Sequence, residues 1–230
     1  VGRGLAEARE RAYVAVRSLH FEKAFYRKDI ATFRSSAADD GASTKKPSVG
    51  PSYLGAGVDI SMEQAISTRL LPLIKGTLSQ GCVEDMNDNG LAGLCDLTGL
   101  GYKEPMLVGS TNLVGTKLKL SMVLEQFQPV GVDLVALCVN DIAARGAEPL
   151  FVMANFAAPK LDAQQAYSVN EGIASACREA GCALLGSKTA EMPGVFNPAG
   201  FDISGAVVGI IERGAALPQL DRMVAGDVII

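Results

Sequence analysis

Apolar residues recur every three or four positions in parts of the chain, which is the period of a helix with one buried face. The clearest case is residues 5–19, whose apolar face consists of Leu5, Ala8, Ala12, Val16 and Leu19. A second helix is predicted over 131–145, ending before Gly146, and a third over 163–180, with Asp162 as its N-cap. The chain therefore contains several long amphipathic helices.

A further helix is predicted from about residue 62. Ser61 and Gln64 have the spacing of a capping box at its start, and Pro72 disturbs its later turns.

Short apolar runs between these helices predict strands. They lie at 106–108, 150–158, 182–186 and 201–212, and the last of them becomes wholly apolar, as a central strand does. The final "GDVII" is also strand-like, so the chain looks cut short there. Strands that alternate with helices predict an α/β fold with a mixed sheet.

Composition and charge divide the chain near residue 50. Residues 1–50 carry ten Lys and Arg against six Asp and Glu, whereas residues 51–230 carry eleven against nineteen. Residues 35–52 are small, charged and rich in Pro and Gly, as linkers are. We therefore predict one domain end at 1–34, a linker at 35–52 and a larger domain at 53–230.

Several classes of protein are disfavoured by composition. The basic N-terminal part lacks the interleaved aromatic residues of a single-strand nucleic-acid binder, and no run approaches the roughly 20 apolar residues that span a bilayer. The single histidine, His20, disfavours a Ser-His-Asp triad, and five cysteines without CxxC spacing favour reduced, buried thiols. We expect a soluble cytoplasmic protein that binds neither nucleic acid nor membrane.

Three polar clusters could carry chemistry. "GSTNLVGTK" (109–117) resembles a phosphate-binding loop but contains no carboxylate. Asp133, Asn140 and Asp141 differ by seven and eight positions and so share one helix face, either as a functional group or as a solvated stripe. "GSKTAEMPG" (186–194) follows a predicted strand and is typical of a turn.

These motifs also resemble a known family. Residues 53–230 resemble the N-terminal domain of aminoimidazole ribonucleotide (AIR) synthetase through "YLGAGVDI", "VGTKLKL", "DLVALCVNDIAARGAEPLF", "AGCALLG" and "TAEMPG". Residues 1–34 resemble the C-terminal end of glycinamide ribonucleotide (GAR) synthetase through "EARERAYVAV" and "HFEKAFYRKDI". This order is that of the multifunctional purine-biosynthesis enzymes of animals, with the linker at their junction.

The resemblance implies a fold, a reaction and partners. It implies an α/β domain whose strands pair with those of a second subunit, giving a homodimer with a β-barrel interface, followed by a C-terminal domain and the rest of the multifunctional polypeptide. ATP and Mg²⁺ would bind near the interface. ATP would phosphorylate the amide oxygen of formylglycinamidine ribonucleotide, and the amine would then close the imidazole ring.

The resemblance also assigns an ATP and phosphate region. Its members are Asn112, Gly115, Thr116, Lys117, Asp133, Asn140, Asp141, Lys188 and Glu191, with Asp133 and Asp141 as residual metal ligands. Three positions depart from the family: Asn112 replaces an aspartate, Leu113 a glycine and Lys188 an acid. Mg²⁺ prefers charged oxygens, a branched side chain disfavours positive φ, and an ammonium repels the metal, so we predict weak or lost ATP and Mg²⁺ binding.

The role of Lys188 has two interpretations: it pairs with Asp133 or Asp141 in place of the metal, or it points to solvent.

Three functions follow from the sequence. The favoured one is a dimerisation or scaffold module with a degenerate ATP site. The alternatives are an active cyclo-ligase that tolerates unusual ligands, and a binder of another phosphate compound through Lys188 and Lys117.

Overall fold

The structure is a computed structural model of the 230-residue chain. It describes residues 5–19, 26, 52–79, 81–83, 93–197 and 200–228. The chain forms two compact units, Val1–Val49 and Gly50–Ile230. Apart from Ser52, the predicted linker lies outside the described residues, and so does most of the segment from His20 to Arg34. The domain boundaries therefore stay predictions.

The first unit contains the predicted N-terminal helix. This helix, α1, spans Leu5–Arg17 and carries an ion pair of 2.6 Å between Glu7 and Arg11, one helical turn apart. Such an exposed pair adds only a few tenths of a kcal/mol to helix stability. The helix type is confirmed, and the helix ends two residues before the predicted position.

The second unit is a four-stranded mixed sheet with helices, which confirms the predicted α/β class. The elements are α2 (Ile60–Lys75), β1 (Cys82–Val83), β2 (Leu94–Cys95), β3 (Pro105–Leu113), α3 (Lys117–Leu124), α4 (Gln128–Ala143), β4 (Glu148–Ala158), α5 (Ala163–Ala180), β5 (Ala183–Glu191) and β6 (Asp202–Glu212). The sheet has the order β3-β6-β4-β5, in which β4 and β5 are parallel and the other pairs antiparallel. Short 3₁₀ turns lie at Leu54–Ala56 and Leu220–Arg222.

Helices cover one face of this sheet. The core between them contains Leu134 from α4, Ile173 from α5 and the strand residues Val152, Phe156 and Ile203, all at most 1% exposed. Within the described residues no helix covers the opposite face, which we call the open face. Leu107 and Leu113 of β3 and Met153 of β4 are exposed there. The strand alternation thus separates a packed side from an accessible side.

Helix α2 begins earlier than predicted and has a different cap. The carboxylate of Asp59 accepts the backbone N–H groups of Ser61 (2.9 Å) and Met62 (3.1 Å), so Asp59 and not Ser61 is the N-cap. The helix continues through Pro72 to Lys75. Its buried residues Ile66 and Leu70 pack into the core, and this packing outweighs the backbone bond that proline cannot make.

Three other boundaries differ from the prediction. Strand β3 extends to Leu113 and β5 to Glu191, so both take in residues that were expected to be loops. Helix α4 begins at Gln128 because Pro129 fits the first helical turn. Residues 213–228 contain no strand, so the strand-like character of "GDVII" is not realised in its described part, 226–228.

Candidate functional site

The predicted phosphate loop is mostly strand. Residues 109–113 belong to β3, residues 114–116 form a turn, and α3 begins at Lys117. Gly115 supplies the left-handed conformation of the turn, with φ of 72°. Leu113 is extended, paired with Ser204 and exposed on the open face. The expectation that Leu113 occupies a position requiring positive φ is therefore wrong.

Asp141 is held by two side chains of β3. Its Oδ2 atom accepts a hydrogen bond from Ser110 Oγ at 2.6 Å and another from Asn112 Nδ2 at 2.7 Å. The bond from Ser110, followed by that from Asn112, lowers the pKa of Asp141 below its ordinary value of 3.8. The ionised carboxylate is thus already bound by neutral donors of its own chain.

Asp133 has a cationic partner. Lys117 Nζ, at the start of α3, lies 2.9 Å from Asp133 Oδ2 on α4. The Lys117 side chain is 59% exposed and that of Asp133 34% exposed, so water screens the pair. The ion pair nevertheless directs the ammonium of Lys117 to a carboxylate.

The helical spacing separates the two predicted metal ligands. Asp133 and Asp141 lie eight residues apart on α4, which is about 12 Å along a helix axis. Oxygen ligands of one Mg²⁺ ion lie about 2 Å from the metal, so this spacing does not support one ion shared by both. In the part of the chain that the structure describes, no three His, Cys, Asp or Glu residues are grouped as a metal site. Asn140, beside Asp141, is exposed.

Lys188 lies on the open face of β5. It is exposed and paired in register with Asn155, whereas its neighbour Ser187 faces the helices and donates to Asn170 Oδ1 at 2.6 Å. Because side chains alternate along a strand, Lys188 lies on the side of the sheet opposite α4. The pairing of Lys188 with Asp133 or Asp141 is therefore wrong. Asp133 pairs with Lys117, and Asp141 accepts hydrogen bonds from Ser110 and Asn112.

Glu191, at the end of β5, binds two backbone groups. Its Oε2 accepts the N–H of Asp59 at 2.5 Å, and its Oε1 accepts the N–H of Leu161 at 2.9 Å. The carboxylate thereby joins the start of α2 to the segment before α5.

The candidate site therefore consists of two parts on opposite faces of the sheet. On the helix side, Ser110 and Asn112 meet Asp141, and Lys117 meets Asp133 near the turn at Gly115 and Thr116. Lys188 belongs to the open face. Sequence reasoning missed Ser110 as a partner of Asp141, although the alternation of Ser110 and Asn112 could have indicated that both face one side.

The thiols are mostly enclosed. Cys82, Cys138, Cys177 and Cys182 are buried, and Cys95 is half-buried with its Sγ 3.4 Å from Cys82 Sγ. Burial, followed by the neighbouring Cys95 thiol, raises the pKa of Cys82 to about 12. This pKa disfavours the thiolate form of Cys82 near neutral pH.

None of the helices in the described ranges combines the length and the apolar character needed to cross a bilayer.

Comparisons with known proteins identify the family. Residues 96–211, half of the chain, match the profile of "AIR synthase related protein, N-terminal domain". Over 226 residues the chain is 46% identical to the trifunctional purine biosynthetic protein adenosine-3 of Gallus gallus and 43% identical to that of Homo sapiens. Each alignment covers 98% of this chain, and the chain spans about a fifth (22%) of the relative.

A solved structure supports the fold. Thiamine-monophosphate kinase from Stenotrophomonas maltophilia K279a is similar with a TM-score of 0.53 at 19% identity, covering 64% of this chain and 43% of that protein. At this identity the likeness concerns the fold alone. With the profile match over half of its length, the chain belongs to the AIR synthase related protein family and carries its N-terminal domain.

Proposed function

We propose that this chain is a segment of a multifunctional, cytoplasmic polypeptide of de novo purine biosynthesis. Its AIR synthase related domain keeps the fold but binds Mg²⁺ and ATP weakly or not at all, and it acts as a dimerisation or scaffold module. The names of the relatives and the alignment over nearly the whole chain support the first part. In this proposal residues 1–34 end a GAR synthetase domain, 35–52 link it, and 53–230 form the AIR synthetase-like domain.

The observation that carries the proposal is the hydrogen bonding of Asp141. Where the family has an aspartate, the Asn112 amide donates to Asp141 Oδ2, and Ser110 donates to the same atom. Two facing carboxylates would repel each other and favour a cation between them. An amide facing a carboxylate is satisfied without a cation, and a metal at this position would have to displace both donors.

The ion pair of Lys117 supports the same conclusion. A lysine at the start of a helix after a glycine turn is well placed to bind phosphate oxygens. Here its ammonium lies 2.9 Å from Asp133, so a phosphate group must compete with a carboxylate. Both carboxylates of α4 thus already have partners within the chain: Asp133 has an ion pair, and Asp141 has two hydrogen bonds.

Calorimetric titration of MgATP into the wild-type chain and the Asn112→Asp variant tests the proposal. We expect no binding heat from the wild type and binding by Asn112→Asp, because that change restores a carboxylate beside Asp141. The matched control is the double variant Asn112→Asp/Asp141→Asn, which exchanges acid and amide and should again show no heat. Wild-type binding at micromolar strength, about −8 kcal/mol, would contradict the proposal.

An active cyclo-ligase is the second candidate function, and the turn after β3 favours it. Gly115 retains φ of 72° directly before α3, and Leu113 lies outside the turn. The backbone can therefore still approach a phosphate there. Conversion of formylglycinamidine ribonucleotide to aminoimidazole ribonucleotide by the chain joined to an AIR synthetase C-terminal domain would support this function. Under the first proposal no turnover is expected.

The proposed homodimer uses the open face and the free edge of the sheet at β3. Helices already cover the other face, while Leu107, Leu113 and Met153 remain exposed on this one. A second copy would remove this apolar surface from water. The remainder of the purine polypeptide would then be held at the dimer as the scaffold role requires.

A further inference from the structure

The small two-stranded sheet of β1 and β2 places two cysteines directly opposite each other. Cys82 of β1 is paired in register with Cys95 of β2, and their Sγ atoms lie 3.4 Å apart. Four of the five cysteines are buried, whereas Cys95 is half-buried. The pair therefore joins one enclosed thiol to one that solvent can reach.

The backbone around this pair has the geometry that a cross-strand disulfide requires. The N–H of Asp96 donates to the carbonyl oxygen of Gly81 at 2.6 Å, so this bond between the strands lies beside the cysteines and not between them. Opposed residues of this non-hydrogen-bonded type have Cα atoms about 4.5 Å apart. Disulfides span Cα separations of about 4.4–6.8 Å, so a bond between Cys82 and Cys95 fits the backbone as it stands.

Gly81 keeps the two strands close beside the cysteines. Its φ of 88° lies in the left-handed region, and a Cβ at this position would stand 2.7 Å from the carbonyl oxygen of Asp96. Cys82 Sγ also lies 3.8 Å from the carbonyl oxygen of Leu150, near the start of β4. The thiol of Cys82 is thus fixed against the main sheet, with Cys95 as its neighbour.

We propose that Cys82 and Cys95 form a reversible disulfide by exchange with a low-molecular-weight disulfide such as glutathione disulfide. Cys95 attacks first, because its thiol is the accessible one, and Cys82 is the resolving residue. The Cys95 thiolate attacks one sulfur of glutathione disulfide, which forms a mixed disulfide and releases one glutathione. The Cys82 thiolate then attacks Cys95 Sγ and releases the second glutathione.

This exchange balances without any further reactant. The two protein thiols lose two electrons and two protons, and glutathione disulfide takes them up as two glutathione molecules. Burial and the neighbouring Cys95 thiol raise the pKa of Cys82 to about 12, which disfavours the Cys82 thiolate as long as Cys95 is a free thiol. This agrees with Cys95 as the first residue to react.

A second pair of neighbouring thiols provides an internal comparison. Cys177, near the end of α5, is hydrogen-bonded to Cys182, which directly precedes β5. Both residues are at most 1% exposed, so a small disulfide cannot reach either sulfur in the folded chain. Oxidation should therefore link Cys82 to Cys95 and leave Cys177 and Cys182 reduced.

The bond would fix the register of β1 against β2. It would enclose residues 83–94, a short loop whose conformational freedom in the unfolded chain it would reduce. Disulfides in a reducing compartment are transient and typically serve catalysis or redox sensing. Because glutathione reverses the exchange, the small sheet can be locked by oxidation and released by reduction.

The test is incubation of the reduced wild-type chain with glutathione disulfide, followed by acid quenching, alkylation of free thiols in denaturant and mass spectrometry. We expect alkylation of three of the five cysteines, a linked pair of peptides that contain Cys82 and Cys95, and no retained glutathione. Dithiothreitol should restore alkylation of all five. The N–H of Asp96 should exchange with deuterium more slowly in the oxidised chain, because the register is fixed.

Three variants separate the roles of the thiols. Cys82→Ser lacks the resolving thiol and should retain one glutathione on Cys95. Cys95→Ser lacks the accessible thiol and should react with glutathione disulfide at least about tenfold more slowly than wild type. Cys138→Ala removes a buried thiol outside the pair and is the matched control, which should form the bond at the wild-type rate. Circular dichroism spectra like that of the wild type show that the variants are folded.

Several outcomes would overturn the proposal. They are no bond in the wild type at saturating glutathione disulfide, a bond between other cysteines, or a stable glutathione adduct on Cys95 of the wild type. Equal reaction rates of Cys95→Ser and wild type would overturn the assignment of Cys95 as the attacking residue. Equal deuterium exchange of the Asp96 N–H in both forms would contradict the fixed register.

Discussion

At the scale of single residues, position in the fold decides what a polar side chain does. Glu191 and Asp141 are both acids in motifs of the family, yet they have different partners. Glu191 accepts two backbone N–H groups, from Asp59 and Leu161, whereas Asp141 accepts from the side chains of Ser110 and Asn112. The first arrangement holds segments together, and the second leaves a carboxylate near the surface.

Glu191→Gln is expected to destabilise the chain by about 2 kcal/mol. A glutamine has one acceptor oxygen, so its NH₂ group would face the N–H of either Asp59 or Leu161. The glutamine NH₂ and the backbone N–H, both hydrogen-bond donors, would then face each other at a half-buried position. Urea unfolding followed by circular dichroism measures the change. Glu171→Gln, at an exposed position of α5, is the control and should stay within about 0.5 kcal/mol of wild type.

A small effect of Glu191→Gln, equal to that of Glu171→Gln, would show that these two backbone bonds contribute little. The anchoring role of Glu191 would then be wrong.

At the scale of elements, α4 and α5 approach each other closely because each presents a glycine to the other. A Cβ on Gly131 would stand 2.1 Å from the carbonyl oxygen of Val169, and a Cβ on Gly172 would stand 2.0 Å from that of Gln128. Both distances are far below van der Waals contact, and the opposing atoms belong to the backbone. The helix pair can keep this separation only with glycine at both positions.

Gly131→Ala and Gly172→Ala are each expected to lower the free energy of unfolding by about 3 kcal/mol, because the helices must move apart. This loss should exceed the roughly 1 kcal/mol that alanine gains over glycine in a helix. Thermal and urea unfolding measure it. Gly99→Ala, where a Cβ meets no atom within 4 Å, is the control and should stay near wild type. Stabilisation by either helix variant would show that the helices do not pack so closely.

The sequence predicts the type of these elements better than their ends. The helical period of α1 and α5 and the apolar runs of β4 and β6 identify them directly. Strands β3 and β5 were predicted too short because residues on their helix side are polar. Ser110 and Asn112 face Asp141, and Ser187 faces Asn170. Because these polar residues interrupt the apolar pattern of a strand, the sequence predicts loops where the structure has paired strands.

The sequence predicts only part of the candidate site, because a local pattern gives the face of a residue but not its partners. A helix places Asp133 and Asp141 on one face from spacing alone, but spacing cannot show which donors reach them. The partner of Glu191 at Asp59 lies 132 residues away, and no local pattern carries such information. The position of Lys188 on the open face follows from strand alternation only once β5 is known to continue to Glu191.

At the scale of the whole second unit, the sheet separates two chemical environments. The helix side holds the core, the hydrogen-bonded pair Asp141–Asn112 and the ion pair Asp133–Lys117. The open face holds exposed apolar residues together with the exposed ammonium of Lys188.

The oligomeric state tests the proposed use of the open face. Leu107 is 59% exposed on edge strand β3, and a lysine on an edge strand disfavours both apolar burial and strand pairing. We expect sedimentation equilibrium to give a dimer for the wild-type chain and a monomer for Leu107→Lys. Val195→Lys changes a residue that is 65% exposed outside the sheet, so this control should remain dimeric. A wild-type monomer at tens of micromolar, or a Leu107→Lys dimer of unchanged strength, would remove dimerisation through this face and leave the scaffold role without its structural basis.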